Sequence, residues 1–191
     1  SERGLLAAAI RVVSEHGVSA ATFEEIGRAA GFSRGLVGQR FGSKDGLIEA
    51  LITYLHGWQD EELNRKQISG MDGFSALVSF VDLHCQTLDD HAEAKAYFML
   101  LAAAVADRQQ TRAAFADSHE IERVLIRRII ERGQAEGCIR KDVDADSVAL
   151  MTGCALLGMR MQGLIDPQTD IAPIRDALIQ SLRARLAPAG A

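Results

Sequence analysis

Thr22 to Leu47 reads TFEEIGRAAGFSRGLVGQRFGSKDGL, and this stretch decides the fold. Thr22 and Glu25 have the S/T-x-x-E spacing of a capping box, in which each side chain satisfies a backbone N–H at a helix start. Phe23, Ile26, Gly27 and Ala30 then share one helical face. Gly31 follows at once, and glycine closes a helix in the left-handed conformation without steric cost. Ser33 is placed to cap a second helix, whose Val37 and Phe41 point inward one turn apart. Two short helices joined by a tight Gly-containing turn predict a helix-turn-helix, whose second helix enters a DNA major groove.

These residues resemble the N-terminal domain of the TetR-type transcriptional regulators, the TetR/AcrR family. The resemblance rests on AAIRVVSEHG in the first helix, Thr22, AAGFSRG, Phe41 and GSKDGL. It covers about the first fifty residues and is specific in order and spacing. It implies an all-α fold of about nine helices. A three-helix DNA-binding domain at 1–48 would be followed by a helical effector-binding and dimerisation domain at 49–191. The family usually has a tyrosine three residues after the Gly of S-R-G, where it touches a backbone phosphate. This chain has Gly38 there, followed by Gln39 and Arg40.

Outward from the motif, helix 1 is expected over about Glu2 to His16, with Leu6, Ala9, Ile10 and Val13 as its inner stripe. Ile10, Phe23, Ile26, Val37 and Phe41 form the expected core of the three-helix bundle. Ser43 caps helix 4, which Leu47, Ile48, Leu51, Ile52 and Leu55 extend toward Arg65 or Lys66. The Gly70–Gly73 region breaks the pattern. Phe74, Leu77, Val78, Val81 and Cys85 trace a face of helix 5. Helix 6, from Ala92 to about Asp107, is apolar all round and is expected to be central to the second domain. Helix 7 runs from near Gln110 to about Ala135; its Arg123, Arg127, Arg128 and Arg132 read as a solvated face. Helix 8 spans about Ala145 to Leu164 after Asp144, and helix 9 follows Asp170 with Pro173 in its first turn.

The 191 residues carry a formal net charge of −5. Residues 1–50 hold six basic and six acidic side chains, so the acid excess lies outside the proposed DNA-reading segment. Phosphate attraction depends on local basic groups, so non-specific affinity is expected to be modest. Cys85, Cys138 and Cys154 form no CxxC pair, and three is an odd number, which favours a reducing cytoplasmic setting over a disulfide framework. No leader segment is evident, and the longest uncharged apolar run, Ala96 to Ala106, falls short of the roughly 20 residues of a membrane span.

Arg34 is placed to reach a guanine edge or a phosphate, Leu36 a thymine methyl and Gln39 an adenine. Arg40 and Lys44 are phosphate candidates, as are Thr22 and Ser33 through their hydroxyls or backbone. Gly35 allows close approach to the duplex, and Gly38 is expected to lay bare backbone against a phosphate. Gly35, Gly38 and Gly42 in one short helix would each cost near 1 kcal/mol against alanine in a helix interior. Trp58, His84, Cys85, Tyr97, Phe98, Met99 and Met151 are polar or polarisable groups in apolar context, the lining a small-molecule pocket wants. The resemblance places an effector pocket among helices 4 to 8. It also implies a two-fold four-helix dimer interface from helices 8 and 9, with Ala149, Gly153, Gly158, Leu178 and Leu182 as candidates. His84 and His91 with Cys85 lack a fourth ligand at a recognisable spacing, so no metal and no cofactor is expected.

The expected function is a homodimeric regulator, a repressor, that binds a palindromic operator in double-stranded DNA and is released by an unknown small-molecule effector. The expected partners are DNA, the effector and a second copy, with no membrane. No nucleophile elbow, P-loop or HExxH pattern points to an enzyme. The competing readings are a ligand-independent DNA-binding regulator and an all-α enzyme or metal-binding protein built on His84 and the cysteines.

Overall fold

The computed structural model describes residues 1–106 and 111–188, with side chains for all of these except 87–90. Among the described residues are nine α-helices: α1 (Glu2–His16), α2 (Phe23–Ala30), α3 (Arg34–Phe41), α4 (Lys44–Arg65), α5 (Gly73–Asp90), α6 (Ala92–Ala106), α7 (Arg112–Glu136), α8 (Ala145–Ile165) and α9 (Ala172–Leu186). Single 3-10 turns at Val18–Ala20 and Ile68–Gly70 fill two of the connections. The all-α class and the helix order agree with the sequence reading. Asp107 and Gln110, the expected end of helix 6 and start of helix 7, lie outside the described residues.

Helix ends fall where the capping chemistry puts them. Ser43 Oγ accepts from Gly46 N at 3.0 Å, and the Asp144 carboxylate accepts from Ser147 N at 3.0 Å to start α8. Pro173 sits in the first turn of α9, where its missing N–H costs nothing.

The chain divides into two compact units, Ser1–Asp60 with Asp90–Asp117, and Glu61–Asp89 with Ser118–Ala191. In the first, Leu5, Leu6, Ala9, Ile10 and Val13 of α1 are buried with Ile26, Val37, Leu47 and Leu51. Phe23 and Phe41 are only half-buried at the edge of this core. Helix α6 packs against α1 in this same unit, which corrects the expectation that it anchors the second half. Nor is it buried on all sides, since Val105 is exposed.

The second unit is built on Leu77, Phe80 and Val81 of α5, Ile126 and Ile130 of α7, Val148 and Leu156 of α8, and Leu182 and Leu186 of α9. Gly73 lies so close to α7 that a Cβ there would stand 2.4 Å from Gly133 Cα, and the Glu136 carboxylate accepts from Gly73 N at 2.8 Å. The arginine row on α7 is not the plain solvated face its spacing suggested. Arg123 pairs with Glu120 and Asp146, Arg127 with Glu131, and Arg132 donates to the Ile68 and Ser69 carbonyls. Arg128 alone of the four is exposed.

Helix α8 is long and apolar enough, by length and composition, to cross a membrane, and only a third of its most apolar 18-residue window is buried within the chain. The run-length reading missed it because Thr152, Gly153 and Cys154 interrupt the apolar residues without adding charge.

Candidate nucleic-acid interface

Thr22 is the N-cap of α2, its Oγ1 accepting from Glu25 N at 3.2 Å. The reciprocal arm of the box is absent. Glu25 turns its carboxylate to Arg28, whose Nε donates at 3.1 Å, and Thr22 N donates instead to the Ala20 carbonyl at 2.7 Å. Gly31 ends α2 in the left-handed conformation at φ 75°, and Phe32 N closes the turn onto the Gly27 carbonyl at 2.8 Å. Ser33 then caps α3, accepting from Leu36 N at 3.2 Å. Thr22 and Ser33 are therefore committed to helix starts, which leaves their hydroxyl hydrogens for other acceptors.

Val37 is fully buried and pins α3 to the bundle, while Arg34, Gly35, Leu36, Gln39 and Arg40 are exposed. One buried anchor among five exposed positions is the profile of a helix that offers its outer face to a partner. Lys44 stands exposed at the first residue of α4, whose free N–H groups favour an anion. Gly38 is half-buried, and a Cβ there would meet the Phe23 ring at 3.5 Å, an ordinary contact. Gly42 does not lie within α3: it is the residue after it, at φ 71°, so the helix-interior cost expected for three glycines applies to two. Glu2, on the first turn of α1, pairs with Arg40, a contact that local spacing does not reveal. Ser1, Glu2, Leu5, Phe32, Leu36, Gln39 and Arg40 line a concavity of about 620 Å³ on this side of the unit.

Residues 5–51 match the family described as bacterial regulatory proteins, tetR family. This N-terminal segment carries the likeness to the TetR family. Members of the TetR family are DNA-binding transcription regulators and not enzymes. Over 110 residues the chain is 32% identical to the HTH-type transcriptional regulator BetI of Serratia proteamaculans, an alignment that takes in 58% of this chain and 46% of that protein. The chain thus spans about half the length of that curated relative.

Solved structures extend the TetR likeness in fold to the whole chain. A TetR transcriptional regulator from Chloroflexus aurantiacus superposes with a TM-score of 0.86 at 19% identity, covering 99% of this chain and 100% of that one. A transcriptional regulator from Saccharomonospora viridis in complex with choline gives 0.82 at 22%, with 97% of each chain covered. SmeT, the repressor of a Stenotrophomonas maltophilia efflux pump, has been solved with triclosan; that complex gives 0.77 at 21%, over 98% of this chain and 92% of the other.

The residues expected to meet an effector fall in both units. In the first unit, Tyr97 stacks edge-on against Phe98 and Phe115, with centroids 5.1 and 5.2 Å apart, and His56 lies 5.9 Å from Tyr97. Trp58 packs against His91 at 5.4 Å, and Met99 is half-buried. His56 was not singled out from sequence. Burial lowers its pKa against a weaker upward pull from Asp60, and its Nε2 is buried with no hydrogen-bond partner. Nothing in its spacing marks it, because the rings around it come from positions 97 to 115.

His84 belongs to the second unit, 1% exposed, stacked on Phe80 at 4.0 Å with Nδ1 2.8 Å from the Phe80 carbonyl. Its Nε2 lies 3.7 Å from Glu122, and its own carbonyl accepts from Arg160 Nε at 3.0 Å. Burial lowers the His84 pKa well below the usual histidine range, with Arg160 adding to the effect. It is therefore a neutral core histidine. Burial pushes the half-buried Cys85 thiol up, away from the thiolate that metals and electrophiles require. Met151 is exposed on α8.

The dimer candidates also separate. Ala149 and Leu182 are each 0% exposed within the chain's own core and have no surface left for a partner. Gly153 and Leu178 are half-buried, and Gly158 is exposed. The free apolar surface lies instead on Leu150, Met151 and Ile165 of α8, with Ile174 of α9.

Proposed function

We propose that two copies of this TetR-family chain bind a palindromic operator as a repressor in the cytoplasm and that a small-molecule effector releases them. In this reading residues 1–48 form the DNA-reading domain and 49–191 the effector-binding and dimerisation domain. The observation that carries it is α3: a capped helix anchored by Val37, presenting Arg34, Leu36 and Gln39 outward. Arg34 would meet a guanine or phosphate, Gln39 an adenine and Leu36 a thymine methyl. Thr22, Ser33, Gly35, Gly38 and Lys44 would lie along the backbone, with Arg40 within reach of it. Two such helices read one face of DNA when they sit about 34–36 Å apart, or a multiple of that.

The pairing surface we propose is the exposed stripe of α8 and α9. Within one chain, a Cβ at Gly153 or Gly158 would meet nothing within 4 Å. Glycine in a helix interior costs about 1 kcal/mol against alanine, so these two make sense as places where another helix comes close. A second copy suits the stripe better than lipid does, because α8 also carries Arg160, a buried charge hydrogen-bonded into its own core. For the effector we favour the ring cluster of His56, Tyr97, Phe98 and Phe115, with Trp58 and Met99 nearby in sequence. A buried imidazole nitrogen without a partner is a ready hydrogen-bond site for a bound molecule. Choline and triclosan, bound by two fold relatives, are the first compounds to try.

Selecting duplexes from a random pool with the purified protein tests the reading. Enriched sequences should be inverted repeats with half-sites a whole number of helical turns apart. Enrichment of unpaired half-sites, or none, overturns the two-fold reading. Release of a selected duplex by a small molecule, and loss of that release on His56→Leu with DNA binding kept, supports the effector assignment. A panel of ligands that never changes DNA affinity favours the ligand-independent alternative.

A further inference from the structure

Glu2 and Arg40 are 38 positions apart and meet across α1 and α3. Both side chains keep solvent exposure, 42% for Glu2 and 55% for Arg40, so each is open to a competing ion. Glu2 stands in the first turn of α1, where the helix's positive end steadies a carboxylate. Arg34, the other arginine of α3, has no ion pair among the described residues. The two guanidiniums of one DNA-facing helix are thus in different states: one is open and one is held.

The carboxylate that holds Arg40 lines the same concavity as Leu36 and Gln39. A duplex docked on α3 brings phosphates to this side. For Arg40 to reach a phosphate it must first leave Glu2, and the vacated carboxylate then faces a polyanion. Exposed ion pairs are worth only about a few-fold in an equilibrium, and a single phosphate contact is of the same order at moderate salt, so the carboxylate is able to decide which ion Arg40 keeps.

We propose that Glu2 sets how many phosphates the DNA-reading domain engages: it keeps Arg40 for itself and withholds one backbone contact from every duplex. This rests on the DNA-binding reading of α3. Its consequence is weaker and less salt-sensitive binding to every duplex, operator and random sequence alike. Phosphate attraction supplies nearly all of non-specific affinity, so a domain that holds back one cation spends less time on random sequence and releases the operator more readily. Glu2 acts through Arg40 and is a positioning residue.

The test measures binding of the full-length chain to a selected operator and to a random duplex across a salt series, in wild type, E2Q, R40Q and the double variant. E2Q should tighten both complexes by about two- to fivefold and steepen the slope of log affinity against log salt by about 0.9, one phosphate's worth. In the E2Q background R40Q should remove both the gain and the extra slope. Weaker binding and a shallower slope in E2Q would mean that Glu2 aims Arg40 at the duplex, which overturns the proposal. So would an E2Q that matches wild type, or an E2Q gain that survives R40Q. Unchanged thermal midpoints separate these effects from fraying of α1. Wild-type protein with no duplex binding at any salt would fail the DNA-binding reading itself, whereas normal wild-type binding with a silent E2Q fails this inference alone.

Discussion

Gly27 holds the turn of the DNA-reading motif to its dimensions. A Cβ there would stand 2.7 Å from the Phe32 carbonyl oxygen and 3.3 Å from Arg34 N, so α2 and α3 would have to part. Gly27→Ala should cost about 1–3 kcal/mol in urea unfolding and abolish operator binding in a mobility-shift assay. Gly38 is the contrasting case, since a methyl there meets only the Phe23 ring at 3.5 Å. Gly38→Ala should stabilise the fold by up to about 1 kcal/mol, and weaker operator binding in the same variant would show that the bare backbone is needed at a phosphate. Titration acts at this scale too. Burial lowers the pKa of both His56 and His84, so below about pH 6.5 the unfolded chain binds more protons than the folded one. Stability is then fully present above that pH and falls as the pH drops toward the folded values. Glu122 works the other way: burial raises its pKa, so the folded chain takes up its proton first and gains from acid. Urea midpoints should nonetheless decline from pH 7 to pH 5, and His84→Asn, which keeps a donor for the Phe80 carbonyl, should flatten that decline.

Among the helices, α5 and α7 cross where two glycines meet backbone to backbone. Gly73→Ala would drive a methyl into Gly133 Cα at 2.4 Å and the Ile129 carbonyl at 2.7 Å, neither of which can rotate away. The expected loss in urea unfolding is about 1–3 kcal/mol, with little change in the affinity of protein that remains folded. The helix boundaries were legible because local chemistry writes them: Thr22, Ser33, Ser43 and Asp144 each cap the helix that follows. The faces of α8 were not legible. Ala149 turns toward its own core and Leu150 away from it, and both are apolar, so periodicity cannot divide a helix that serves two interfaces. Helix α6 misled for a related reason, since an all-apolar sequence says that a helix is surrounded but not by which neighbours. Glu2 and Arg40 escaped because an ion pair between elements 38 residues apart leaves no trace in local spacing.

At the scale of the molecule, the exposed apolar stripe on α8 and α9 predicts the assembly state. Leu150 and Ile165 are 56% and 74% exposed in the single chain. L150E and I165E should therefore leave helicity and thermal midpoint of the subunit nearly intact while halving the mass seen by light scattering at micromolar concentration. Operator affinity should fall steeply with that mass, because two half-sites bound by separate subunits lose the gain of linkage. Full mass in both variants would place the pairing surface elsewhere.

The last turn of α9 does more than cover apolar side chains. Leu186 is fully buried, and its carbonyl accepts from Arg140 N at 2.9 Å, fastening the segment that joins α7 to α8. During synthesis, residues 1–60 and 90–117 leave the ribosome early and can settle first. The unit that contains residues 118–191 has to wait, with Ile126, Ile130 and Val148 uncovered, until its final helix emerges. A nascent chain stalled before Leu182 would be the form of this protein most in need of a chaperone.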